Sequence, residues 1–157
     1  MEKSYYKSPI GNLEIICEND ALISLKIKDK IEIQNKETDF IKNIKMQLDE
    51  YFSGRRKIFD IKIKPEGTEF QKRAWRELQQ IPYGKIKSYS EIAAAIGNKN
   101  AQRAAGNACS KNPIIIIIPC HRVISKNGDI GGFEYGCEIK RKLLKIENST
   151  SSDVICN

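Results

Sequence analysis

The 157-residue chain has one histidine, one tryptophan, few cysteines and no long apolar run. His121 is the only imidazole, and none of Cys17, Cys109, Cys120, Cys137 and Cys156 stands in a C-x-x-C pair. A structural metal site is therefore not expected, and any chemistry that needs a histidine must happen at residue 121. The N-terminus lacks a charged-then-apolar leader, and the cysteine count is odd. Both point to a reducing compartment with free thiols, hence a cytoplasmic protein, or a nuclear one in a eukaryotic source. The one apolar stretch, Pro113 to Pro119, holds five isoleucines, far short of the roughly 20 residues that span a bilayer. No membrane partner is expected. No cofactor-binding motif is visible, so no cofactor is expected.

Acidic residues are also in short supply: 20 against 27 lysines and arginines, for a formal charge of +7. The first 65 residues carry 13 basic and 11 acidic groups, an ordinary mixed surface. Between Phe70 and Asn127, ten basic residues face only two acidic ones, Glu77 and Glu91. A basic segment of this kind attracts polyanions, because binding releases the counterions condensed on nucleic acid. A lysine-biased surface without a partner would have the same composition.

The pattern along the chain is α+β. Ser4–Lys7, Leu13–Cys17 and Leu22–Ile27 read as strands of a small antiparallel meander, with turns at Pro9-Ile10-Gly11 and Glu18-Asn19-Asp20. Ile41, Ile44, Leu48, Tyr51 and Phe52 recur at helical spacing before Gly54, giving a helix that covers the sheet. Phe59, Ile61 and Ile63 alternate with polar residues as in a further strand, and Pro65-Glu66-Gly67 then breaks the chain. The expected domains are 1–65 and 66–147, with a disordered tail over 148–157.

The second domain reads as mainly helical. Thr68-Glu69-Phe70-Gln71 and Ser88-Tyr89-Ser90-Glu91 are capping boxes that open helices to about Gln80 and Ile96, and Gly97 ends the second. Asn100 is placed to cap a third helix from Ala101 to about Ser110, stopped by Asn112-Pro113. Two short helices across a glycine turn suggest a helix-turn-helix, although ordinary cores contain such pairs too. Ala101, Ala104, Ala105, Gly106 and Ala108 make the third helix thin, with Arg103 its long cation. A thin helix suits a minor groove about 6 Å wide, with Arg103 as a wedge; burial in the core would also account for the small residues.

Ile114–Ile118 reads as a strand buried on both faces, ended by Pro119, with Cys120 and His121 where it emerges. A lone cysteine is often just a small buried hydrophobe. Beside His121 and Arg122, however, positive charge favours the thiolate. Neighbouring side chains on a helical turn point apart, so a water would relay the proton from Cys120 to His121. A base of this kind needs a third group to fix its tautomer. Glu147 is the candidate, at the end of an amphipathic helix from Glu138 whose Ile139, Leu143, Leu144 and Ile146 face the core; a solvated helix-end acid is the competing reading.

Ile118-Pro119-Cys120-His121-Arg122-Val123, with Thr68-Glu69-Phe70-Gln71, Pro82-Tyr83-Gly84-Lys85, Ser88-Tyr89, Ala104-Ala105-Gly106, Asn112-Pro113 and Glu147, resembles the O6-alkylguanine-DNA alkyltransferases. The first third is similar more loosely, at Ser8-Pro9-Ile10-Gly11 and Ala21-Leu22. The resemblance implies a ribonuclease H-like N-terminal domain followed by a winged helix-turn-helix domain. It implies a monomeric repair protein that binds double-stranded DNA through the minor groove and flips an alkylated guanine. The alkyl group, mainly from O6-methylguanine and less from O4-methylthymine, then passes irreversibly to Cys120. By the same resemblance, Arg103 fills the gap left by the base, with Ala104, Ala105 and Gly106 beside it on the DNA-binding helix. Tyr89 crowds the phosphate and donates to the guanine, His121 takes the thiol proton, Glu147 orients the ring and Asn112 braces the turn. Val123, Phe133 and Glu134 belong to the substrate pocket. Phe133 stands where tyrosine is usual and Glu134 adds a charge, which bears on the size of alkyl group accepted. Some relatives hold zinc in the N-terminal domain through histidines; this chain has none there.

Three other functions compete. A non-catalytic lesion-binding relative typically has tryptophan in place of the nucleophile, against Cys120. A cysteine hydrolase explains neither the basic segment nor the thin helix. A helix-turn-helix regulator leaves Pro119-Cys120-His121 without a role.

Overall fold

A computed structural model describes residues 1–32, 37–125 and 133–147. The chain separates into two compact units, Met1–Glu66 and Gly67–Asn157.

In the first unit, β1 (Glu2–Ser8), β2 (Gly11–Glu18) and β3 (Ala21–Ile27) form an antiparallel meander in the order β1-β2-β3. Asn19 and Asp20 make the β2–β3 turn, both with positive φ (51° and 55°), the conformation that matches the twist of a two-residue hairpin. Leu13, Ile15, Cys17, Leu22 and Leu25 are fully buried. Helix α1 (Asp39–Phe52) opens on Thr38, whose hydroxyl accepts from the Ile41 amide. It buries Ile41, Ile44, Leu48 and Tyr51. Phe52 stacks on Tyr6 of β1 with ring centroids 6.3 Å apart, fixing the covering helix against the sheet.

The fourth strand expected over Phe59–Ile63 is reduced to a single bridge between Leu22 and Ile63. The reason is a competing partner. The Gln47 side chain accepts from the Asp60 amide at 2.9 Å and donates to the Asp60 carbonyl at 3.0 Å, so a helix side chain takes the groups a ladder would have used.

In the second unit, α2 (Glu69–Gln79) has the full capping box on Thr68 and Gln71. It buries Ala74, Trp75 and Leu78, and the Trp75 indole donates to the Ala108 carbonyl at 2.9 Å. Helix α3 (Tyr89–Ala95) is capped by the Ser88 hydroxyl, which accepts from the Glu91 amide at 3.1 Å. Gly97, at φ +92°, turns the chain into α4 (Gln102–Ser110). Asn100 does not cap α4: the N-cap is Ala101, without a side-chain hydrogen bond, and the Asn100 amide donates instead to Asn98 Oδ1 at 3.0 Å. Two short segments, β4 (Lys87–Ser88) and β5 (Val123–Ile124), pair in parallel, which the sequence pattern did not signal. Helix α5 spans Cys137–Ile146, with Glu147 as its C-cap.

Ile114–Ile118 is not a strand. The segment coils on itself, with Ile117 N donating to Ile115 O at 2.8 Å and Ile118 N to Ile114 O at 3.0 Å. Ile116 sits at φ +74°, a conformation that costs a β-branched residue about 1 to 3 kcal/mol. Ile114, Ile115, Ile116 and Ile118 are nevertheless buried, so the apolar run reports burial and not extension. Among the described residues, Cys17, Cys109 and Cys120 are free thiols. The expected tail over 148–157, with Cys156, and residues 126–132 lie outside the described residues.

Candidate active site

The strained isoleucine turn delivers Cys120 into a 3-10 turn, Cys120–Arg122, immediately before β5. Asn112, just after α4, braces it. Its side chain accepts from the Ile114 amide at 2.9 Å and donates to the Ile118 carbonyl at 2.7 Å and to Cys120 Sγ at 3.1 Å. One amide thus holds both ends of the isoleucine turn and touches the thiol.

Cys120 is 3% exposed. Burial pushes its thiol up to about 11, against the Asn112 hydrogen bond and the Lys140 charge, which pull it down. The thiol is therefore neutral near pH 7 and needs a base to react. His121 is fully buried beside it, and its Nε2 pairs with Glu147 Oε2 at 2.7 Å. Burial works against charge on Glu147, but the charges and hydrogen bonds of His121 and Arg122 outweigh it and hold the carboxyl far below the usual range. A permanent carboxylate accepts from Nε2–H and so fixes the neutral tautomer with its lone pair on Nδ1. His121 Nδ1 is buried and has no hydrogen-bond partner among the described residues. The solvated-acid reading of Glu147 is overturned by its 2% exposure.

Arg122 does not serve the thiol as expected. Its guanidinium is engaged with Glu147, through Nε at 2.8 Å and Nη2 at 3.1 Å, and with the Ile81 carbonyl through Nη1 at 2.7 Å. The cation that acts on Cys120 is Lys140, which sequence reasoning missed. Lys140 is fully buried on α5, whereas Ile139 and Ile146, expected in the core, are half-buried. A signal was available, since Lys140, Leu143, Leu144 and Glu147 share one face of a helix at i, i+3, i+4 and i+7.

A cavity of about 470 Å³ opens over the thiol, lined by Tyr89, Arg103, Gly106, Cys109, Cys120 and Phe133. Tyr89 leads α3 and Arg103 lies in the first turn of α4, exposed. Burial and the two thiols, Cys109 and Cys120, raise the Tyr89 phenol, so it keeps its proton and can donate. Phe133 packs edge-on against Tyr135, centroids 5.8 Å apart. Ala104 is exposed beside Arg103, but Ala105 is fully buried. Val123 is also buried outside the lining, its carbonyl accepting from Lys140 Nζ at 2.6 Å. Glu134 is exposed and outside the lining, yet its charge opposes ionisation of Cys120. No group of three or more metal-ligating side chains occurs among the described residues.

Residues 1–65 match the ribonuclease-like domain, and residues 69–149 the DNA binding domain, of 6-O-methylguanine DNA methyltransferase. A methylated-DNA–protein-cysteine methyltransferase of Methanosarcina acetivorans is 44% identical over 155 residues, covering 95% of this chain and 99% of the relative. The constitutive enzyme of that name from Bacillus subtilis is 41% identical over 157 residues, covering 92% and 95%. Among solved structures, Mycobacterium tuberculosis OGT in complex with DNA superposes with a TM-score of 0.85 at 34% identity, covering 97% of this chain and 98% of that one. With both halves matched along nearly their whole length, the chain belongs to the 6-O-methylguanine DNA methyltransferase family.

Proposed function

We propose that this chain repairs DNA by moving an alkyl group from O6 of guanine onto Cys120. The carrying observation is the cavity lined together by Cys120, Tyr89 and Arg103, backed by the buried His121–Glu147 pair. The target carbon is inaccessible inside a duplex, so the nucleotide must be extruded into a pocket. Helix α4 enters the minor groove, and Arg103 fills the space the guanine leaves. Exposed Arg73, Arg76, Lys85, Lys99 and Lys111 supply positive surface in the same unit, as phosphate binding requires.

In the transfer the Cys120 proton passes through a water to His121 Nδ1. The sulfur attacks the alkyl carbon, an S–C bond forms and the C–O6 bond breaks. Tyr89 donates a hydrogen bond to the departing base and so eases its developing negative charge, while solvent supplies the proton the guanine takes up and removes the one left on His121. Glu147 stabilises the imidazolium that results. The thioether has no return path in the site, so each molecule acts once, as a monomer. O6-methylguanine is the principal substrate and O4-methylthymine a lesser one. The protein acts where duplex DNA is found, in the cytoplasm, or in the nucleus of a eukaryotic source. No helix among the described residues is long and apolar enough to cross a membrane.

Stoichiometry tests this. With an O6-methylguanine oligonucleotide in excess, restored guanine should plateau at one equivalent per protein. Continued turnover would contradict the mechanism, as would no conversion under conditions where the duplex binds.

A further inference from the structure

The cavity over Cys120 holds a second sulfur. Cys109, in the last turn of α4, lines it together with Cys120, and both are free thiols. Along α4, Arg103, Gly106 and Cys109 follow one another at three-residue spacing and line this same cavity, as one ridge of a helix does. Among the inward residues of the helix, Ala105 is fully buried and Ala108 is 1% exposed, while Cys109 keeps 8%. Its sulfur is near enough to Cys120 for a charge there to act on it.

A buried cysteine is often a packing group and nothing more, but this one shares a cavity with a reactive thiol. Two other wall residues carry hydroxyls. Ser110 donates its own to the Asn107 carbonyl at 2.8 Å, and burial raises the Tyr89 phenol, so Cys109 is the strongest second nucleophile there. Burial pushes it up to about 12. At neutral pH it is a thiol, and it does not compete for the first transfer with Cys120, which has His121 as its base. Oxidants react with thiolates, so a disulfide switch does not follow from two resting thiols.

We propose a second activity for this pair: when the group moved from O6 carries a leaving group at its far end, Cys109 displaces it and closes a bridge to Cys120. This rests on Cys120 being the alkyl acceptor. In the first step the Cys120 S–C bond forms and the C–O6 bond breaks, leaving the transferred group in the cavity that Cys109 lines. In the second, the Cys109 sulfur attacks the far carbon, a second S–C bond forms and the carbon–halogen bond breaks. Halide and the thiol proton leave to solvent, and no oxidant or reductant is needed. Attack inside one cavity replaces an encounter from solution, so a thiol with a small thiolate fraction still competes with water. The substrate class is the two-ended O6-alkylguanines, and the bridge removes an electrophile that would otherwise remain against the DNA.

The probe is free O6-benzylguanine with a chloromethyl arm at the meta or the para position of the benzyl ring. Wild type and Cys109→Ser are incubated with each, and the products are read by intact mass and peptide mapping. The readout is the product formed per alkylated molecule, which a slower first transfer in the variant does not change. In wild type, at least one arm should yield protein that has gained the xylylene group and lost both thiol hydrogens, with the Cys109 and Cys120 peptides joined. Cys109→Ser should lose the bridge and carry an open chloromethylbenzyl or hydroxymethylbenzyl group on Cys120. Wild type that ends with open groups from both arms, and with Cys109 still titrated by a thiol reagent, would overturn the proposal. A bridge running to another cysteine, or uptake of plain benzyl but of neither arm, overturns it equally. Where Cys109→Ser does not fold, the wild-type peptide map decides. Wild type that takes up no alkyl group from plain O6-benzylguanine or an O6-methylguanine duplex would instead defeat the assignment of Cys120, and is read first.

Discussion

At the scale of single residues, the site works by keeping charge where it is needed and neutrality elsewhere. Cys120 rests as a thiol because burial dominates, and this protects a single-use nucleophile from stray electrophiles. Glu147 is the opposite case, a buried carboxylate kept ionised by its hydrogen-bonded partners His121 and Arg122. Its folded value lies below that of the unfolded chain, so the stability it contributes is complete above about pH 4.3 and is lost as pH falls toward the folded value. Glu147→Gln should therefore destabilise the protein at neutral pH by about 3 to 5 kcal/mol, the usual result of stranding buried charge. It should also flatten the acid limb of a stability–pH curve measured by denaturant unfolding. An unchanged acid limb would show that the His121–Glu147–Arg122 cluster contributes nothing to acid sensitivity. Cys120, His121, Asn112 and Glu147 were legible in the sequence because the Pro-Cys-His-Arg run is compact and the residues around it match a family pattern. Lys140 was not read, because a lysine within an amphipathic helix is assigned to the wet face by default. Only the helix phase, Lys140 in register with Leu143 and Leu144, places it inside.

At the scale of elements, sequence patterning located the helices well and misjudged the segments whose hydrogen bonds come from side chains. Thr68 and Ser88 open α2 and α3 as their capping residues predict. The Ile114–Ile118 turn and the Phe59–Ile63 segment both read as strands. In each, one side-chain amide (Asn112 or Gln47) satisfies backbone groups that a ladder would otherwise have paired. Residue-type patterns do not show which side chain will take those backbone groups. Helix α4 has its own division of labour: Ala105, Ala108 and Cys109 face inward, while Arg103 stands exposed at the cavity. The role proposed for Arg103 in base extrusion applies to duplex substrates only. Arg103→Ala should slow repair of an O6-methylguanine duplex by tenfold or more, about 1.4 kcal/mol, while leaving transfer from free O6-benzylguanine within about twofold. Equal losses on both substrates would contradict the wedge.

At the scale of the whole molecule, the site lies in Gly67–Asn157, the unit that also holds most of the excess positive charge. That charge is not all available to DNA. Arg122 and Lys140 are buried, so neither can meet a phosphate from solvent. Composition alone could suggest a polyanion partner but could not separate these two from the exposed basic residues, which differ only in burial. The single histidine, first an exclusion, is buried next to Cys120 and hydrogen-bonded to Glu147. The central claim is that this molecule consumes itself at one thiol, and intact mass after incubation with an O6-methylguanine duplex tests it most directly. The account predicts a gain of one methyl group per protein, mapped by peptide analysis to Cys120 and absent in Cys120→Ser. An unchanged mass with the duplex bound, or a methyl group found on Cys109 in place of Cys120, would contradict it.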